Sequence, residues 1–285
     1  MNSFQKVIKY LAIAFAVLLA IGIISFMVNV VYGVVTFATG RGFRSNDNDY
    51  KTVDFDETFT GVTGLDIDNS TGSLGIEVGD TFRVEGKNVF DGFKAEVDSD
   101  GTLTVSDNES GFRFWGFNVN GFNSPNSKIT VYIPADFVAE EVRIETGAGP
   151  VNLEDLSAEY LYISAGAGNI NGRNLTADKV KVEGGVGSIS LGNVNFENAD
   201  FNCGVGNVYI SGVLLEENSF DCGVGEVELE LIGNIEDYNL DIESGVGSVR
   251  VNGKKIEEME DNNRFADHSI EVDGGVGSVR IDIEQ

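Results

Sequence analysis

The chain has 285 residues, with 46 Asp and Glu against 19 Lys and Arg, a formal net charge of −27. All of the acidic residues lie after residue 44, and 15 of the basic ones do, so that part alone carries a net of −31. Such a surface argues against nucleic acid as a partner and against broad adsorption to anionic membranes, both of which need cationic patches. Two cysteines and one histidine are too few for a disulfide scaffold or a Cys/His metal centre.

Residues 1–7 form a short tail. From Ile8 to Ala38 the chain is almost wholly apolar after Lys9. As a helix these 31 positions would reach about 46 Å, more than the ~30 Å hydrocarbon core, so the stretch predicts one transmembrane helix, residues 8–38. Lys6 and Lys9 before it nearly balance Arg41, Arg44 and Lys51 after it, which leaves its orientation open. A polar tether follows at 39–52. Residues 53–140 read as short strands (LDID, SLGIEV, FRVEG, FKAEVD, TLTVS) with turns between them, a β region expected to cap the repeat domain. Within it, Thr71-Gly72-Ser73-Leu74-Gly75-Ile76 looks like a degenerate copy of the later repeat. Residues 110–126 gather Phe112, Phe114, Trp115, Phe117 and Phe122. They are either an exposed patch for a protein, glycan or membrane partner, or a loop folded over the open end of the stack.

Residues 141–285 carry the dominant signal. Gly-x-Gly recurs with its first glycine at Gly147, Gly166, Gly185, Gly204, Gly223, Gly245 and Gly275, in four steps of 19 and then steps of 22 and 30. Three residues before each stand Ile144, Ile163, Val182, Phe201, Phe220, Ile242 and Val272; four after stand Val151, Ile170, Ile189, Val208, Val227, Val249 and Val279. Every member of both columns is apolar, and apolar residues alternate at spacing two on either side of the glycines. Each unit is therefore strand, glycine corner, strand. A third column (Leu156, Leu175, Val194, Val213, Ile232) follows a turn rich in Asn, Asp and Gly. No unit can bury its apolar side alone, so the pattern predicts an all-β, single-stranded parallel β-helix of about seven coils and 19-residue period, preceded by one transmembrane α-helix.

The longer steps insert three residues before Gly245 and eleven before Gly275, the latter read as a solvated loop within Asn252–His268. Nothing after Ile281–Gln285 would cap the last coil, so its edge is expected to be open and available to a second copy. Cys203 and Cys222 share the position before the corner glycine in consecutive coils. Stacking brings them within disulfide reach, yet the column wants small residues and buried cysteine serves as one.

The chain holds little that reads as catalysis. His268 lies in the last insertion with no nucleophile nearby, and reads as a solvated loop histidine. GAGNING has the wrong glycine spacing for a dinucleotide fingerprint, and GGVGSVRID lacks the Asp of the calcium nonapeptide repeat. One cluster remains: Asp200, Asp221, Asp241, Glu243, Glu271 and Asp273 fall on the outward face of the later coils. It reads as a solvated acidic face, as a weak Ca²⁺ stripe that relieves its own repulsion, or as a catalytic carboxylate pair of the glycan-hydrolase kind. No other cofactor is expected.

An N-terminal membrane helix, the VYIP segment and recurring Gly-x-Gly-x-apolar-x-apolar units together resemble a bacterial adhesin-like family of unknown function with β-strand repeats, toast-rack-like and envelope-associated. The resemblance spans about Val53 to Ile283. It implies a right-handed β-helical domain outside a single-pass cell-membrane anchor, with an envelope protein or glycan as partner and no enzymatic activity. The expectation is a non-enzymatic interaction module of the cell envelope, an adhesin or an envelope-stress sensing component. A glycan-active enzyme and a cytoplasm-facing regulatory domain are the alternatives.

Overall fold

The structure, a computed structural model, describes residues 52–107, 112–114, 117–119, 127–256, 263 and 265–284. The expected membrane helix and nearly all of the tether lie outside the described residues, among which no helix is long and apolar enough to cross a membrane.

The repeats stack as parallel coils. Val138–Ala148, Val151–Ala167, Ile170–Val186 and Ile189–Val205 pair side by side, and each residue sits over its counterpart one repeat away: Ile144 on Ile163, Val182 and Phe201, and Leu156 on Leu175 and Val194. One repeat thus climbs one layer. Between neighbouring layers the pairing skips Asp155, Glu159 and Gly166, so the coil bends three times and has three short walls. Alternation turns Val151, Leu153, Leu156, Ala158, Leu161, Ile163 and Ala165 inward, all buried. Both long apolar columns predicted from the sequence are buried in every coil, and the Phe201 and Phe220 rings stack at 5.1 Å between successive layers.

Two corners have distinct chemical demands. At the glycine corner the layers nearly touch: a Cβ on Gly187, at φ 145°, would lie 1.9 Å from the Gly168 carbonyl oxygen beneath it. Only a residue without a side chain permits that approach. At the next corner, Asp155, Asn174 and Asn193 adopt left-handed φ of 52°, 56° and 54°. Asn and Asp tolerate this region, and here they also bond one another: Asn174 donates to Asp155 and Asn193 donates to Asn174, each at 2.7 Å.

The predicted degenerate copy is a true coil. Gly64–Thr71 lies under Val138–Ala148, and Ser73–Gly79 lies under the start of Val151–Ala167. Beneath it, Thr102–Ser106 and Lys128–Pro134 add a further parallel layer. The N-terminal region then ends the stack with antiparallel strands. Phe82–Phe90 pairs with Lys128–Pro134, Thr52–Phe59 pairs with Phe82–Phe90, and Lys94–Val97 pairs with Thr102–Ser106.

Four expectations need correction. First, the layers do not follow chain order at the far end. His268–Glu284 lies between Glu217–Ile232 on one side and Tyr238–Val251 on the other, so the Gly275 coil is interior and the Gly245 coil is terminal. The three extra residues, with the 3-10 turn Ile235–Asp237, let the chain climb two layers at once, and the eleven bring it back. The last coil in sequence is therefore not an open edge. Second, the long insertion is not simply a solvated loop. Asn252-Gly253 makes a two-residue turn with positive φ at both positions, Lys254–Ile256 returns antiparallel on Val249–Val251, and Ile256 packs against the core. Asn263 follows, its side-chain amide donating to the Glu236 carbonyl at 2.8 Å and its N–H to Asn239 at 3.1 Å. Leu240 and Ile242 of the terminal coil are fully buried. Third, His268 is half-buried at the start of a strand. Its ring centre lies 5.3 Å from that of Tyr238, and its Nδ1 accepts the Glu216 N–H at 3.1 Å. Fourth, the third apolar column holds at Leu156, Leu175 and Val194 and then slips. Gly212 stands over Val194, which displaces Val213 from the inward position, and Ile232 is 59 % exposed. The slip arises because this coil has no counterpart of Asn193: Ser211 pairs with Gly192 and Gly212 directly with Val194, and at φ 139° a Cβ on Gly212 would meet the Val194 backbone at 2.2 Å.

Candidate functional site

The outer face of the wall before the glycine corner is built from two adjacent ladders. The first runs Asp66, Arg143, Tyr162, Lys181, Asp200, Ser219, Glu271, Asp241 in layer order, and the second Asp68, Glu145, Ser164, Glu183, Asn202, Asp221, Asp273, Glu243. All six carboxylates singled out in the sequence lie here, brought together across layers about 4.8 Å apart.

The two ends of this face differ. In the early layers charge is matched. Arg143 pairs with Glu145, and its guanidinium lies 4.6 Å from the Tyr162 ring centre. Tyr162 donates to Glu183 at 2.8 Å, and Lys181 pairs with the same carboxylate at 3.0 Å. The Lys181 hydrogen bond, then that of Tyr162, holds the Glu183 carboxyl below the usual range. Burial raises the Tyr162 phenol and the Asp66 carboxyl. In the later layers Asn202 donates to Asp200 at 2.8 Å. Beyond it, no Lys or Arg among the described residues pairs with Asp221, Glu271, Asp273, Asp241 or Glu243. Among the described residues no group of three or more His, Cys, Asp or Glu side chains is arranged around one metal position. The ladders spread their oxygens along the face rather than converging on the six to eight ligands that Ca²⁺ takes.

Between the two ends lies a shallow depression of about 510 Å³, lined by Ser164, Ala165, Lys181, Glu183, Gly184, Gly185, Asn202, Cys203, Gly204 and Asp221. It exists because Ser164 is short between Glu145 and Glu183, and because Gly184 and Gly185 have no side chains. No aromatic ring lines it. Glu183 and Asp221 stand two layers apart, about 9.6 Å. A glycan hydrolase would need a general acid with a raised pKa. Glu183, lowered and held by Lys181 and Tyr162, has the opposite character.

The aromatic segment leaves from the glycine corner of the layer beneath Gly72, between Asp107, which accepts the Ser70 N–H at 2.9 Å, and Ser127, which donates to the Thr71 carbonyl at 2.7 Å. Phe112–Phe114 and Phe117–Val119 pair antiparallel as a hairpin, while Trp115 and Phe122 lie outside the described residues. The Arg143–Tyr162–Glu183–Lys181 network went unread in the sequence. Its signal was present as partners one repeat apart and two residues apart, the spacings of cross-layer and same-face neighbours. Cys203 and Cys222 are in register as expected and are both free thiols.

The family model described as Toastrack DUF4097 matches residues 62–272. Among solved structures, a candidate cell-adhesion protein from Clostridium sporogenes is 18 % identical, with a TM-score of 0.41, covering 82 % of this chain and 100 % of its own. A candidate adhesin from Bacteroides fragilis is 15 % identical, with a TM-score of 0.44, covering 84 % and 99 %. A candidate lipid-binding protein from Parabacteroides distasonis is 13 % identical, with a TM-score of 0.41, covering 83 % and 97 %. No curated protein matches the chain.

Proposed function

The chain belongs to the Toastrack DUF4097 family, and from that premise we propose that it is a non-enzymatic, membrane-anchored interaction module of the bacterial cell envelope. Residues 8–38 would be its anchor, and the acidic end of the stack would be the face it presents to a cationic or glycan-bearing envelope partner. The observation that carries this reading is the run of Asp221, Glu271, Asp273, Asp241 and Glu243 in register on one wall, without basic partners among the described residues. Fixed like charges at layer spacing attract counter-charge and steer its approach. The stack beneath holds the ladder rigid, so little ordering cost falls on binding.

The test compares the full chain with an Asp221→Asn, Asp273→Asn, Glu243→Gln variant. Co-sedimentation with purified envelope fragments should be strong at low salt, weaken with added salt, and drop in the variant. Equal sedimentation of both proteins at every salt concentration would sink the acidic face as the binding surface. Protease treatment of intact cells decides the side of the membrane: cleavage of the repeat domain supports an exported module, and protection until lysis supports the cytoplasm-facing alternative.

A further inference from the structure

We propose that Cys203 and Cys222 form a two-thiolate site for a soft monovalent cation, Cu(I). The two residues are direct partners on adjacent parallel strands, one layer apart. Both thiols are free. In the same column the next residues on either side are Gly184 and Gly274, which add no side chain of their own. Cys222 is 4 % exposed, whereas half-buried Cys203 lines the depression. A small ion therefore has a route to the sulfurs, and a bulky thiol reagent meets only the first of them.

The surroundings suit capture of a cation. Asp221 and Glu183 line the same depression. Each thiol releases its proton to solvent, no electron is transferred, and the product carries one net negative charge. Thiolates select soft ions, and Cu(I) accepts two opposed sulfur ligands without a third. The scattered carboxylates offer hard cations no comparable convergence. The ligands are the two sulfurs, and of the acidic run only Asp221 also lines this depression.

The experiment uses the full chain, reduced and held without oxygen, competing with bicinchoninate for Cu(I). Loss of the coloured chelate reads out transfer to protein. The expected result is one Cu(I) per chain, with affinity reduced roughly a hundredfold or more by Cys203→Ser or Cys222→Ser alone, since either leaves a single thiolate. Both variants should keep their far-UV circular dichroism, because Ser244 and Ala165 already occupy this column. Failure to draw Cu(I) from the chelator overturns the proposal. So does uptake that survives both substitutions, or a thiol titration showing the pair joined as a disulfide despite the reductant.

Discussion

Replacing Gly187 by alanine should cost far more than alanine at Gly192, five residues on in the same coil. At Gly187 the new Cβ would lie 1.9 Å from the Gly168 carbonyl oxygen. Carbon atoms rest about 3.5 Å from their neighbours, so the layers would have to part by on the order of 1.5 Å. That movement strains two bonds across the corner, Gly168 N–H to Val186 and Ile170 N–H to Ser188, each at 2.9 Å. Each is worth about 1 kcal/mol net. Holding an alanine at φ 145° adds about 1–3 kcal/mol of backbone strain. The total is about 3–5 kcal/mol, which for a domain of this size lowers Tm by about 6–20 °C. At Gly192, whose φ is ordinary, an added Cβ meets only the Ser211 hydroxyl oxygen at 3.7 Å. The change there should stay within about 0.5 kcal/mol. Thermal unfolding of both variants and the parent, followed by far-UV circular dichroism of the full chain in detergent, reads the difference. Equal melting of the two variants would refute the claim that close approach of layers, rather than turn flexibility, is why the repeat needs glycine.

Other substitutions probe different parts of the stack. Asn174→Ala, at φ 56° and bonded to Asp155 and Asn193, should lose about 1–2 kcal/mol; Asn174→Gly keeps the backbone relaxed and should lose less, as urea midpoints would reveal. Burial raises the Asp107 carboxyl above its ordinary 3.8, so the folded chain holds that proton more tightly than the unfolded one. Its contribution to stability is full below 3.8 and is lost as pH rises through the raised folded value. Asp107→Asn should flatten this dependence, and Tm measured from pH 3 to 7 for both proteins checks it; parallel curves would contradict the assignment. Neutralising Asp221, Asp273 and Glu243 to their amides should raise Tm by about 1–6 °C, because like charges on adjacent strands repel by a few tenths to 1 kcal/mol per pair. CaCl₂ and NaCl at equal ionic strength should raise the parent's Tm equally, and a larger rise with calcium would show ligation beyond screening.

The period of 19 by itself determined most of this molecule. Residues recurring one repeat apart had to share a column, so the buried Ile144-to-Val272 column, the glycine corner, the extra coil at Gly72 and the Cys203–Cys222 register could all be read from the chain. The same regularity hid what came next. Each coil offers its neighbours the same Val and Ile columns, so nothing in them says that the Gly275 coil must sit between Gly223 and Gly245. That order was set by how far three and eleven extra residues let the chain climb and return, and by Ile256 finding the exposed end of the core. The slip at Gly212 and the half-burial of His268 likewise depend on backbone contacts between distant segments. The depression arises because small residues from separate layers, Ser164 and Gly184, fall beside one another. Periodicity fixes which residues align, since stacking repeats one geometry; which layer lies next to which, and the surface relief that results, are settled only when the whole stack is assembled.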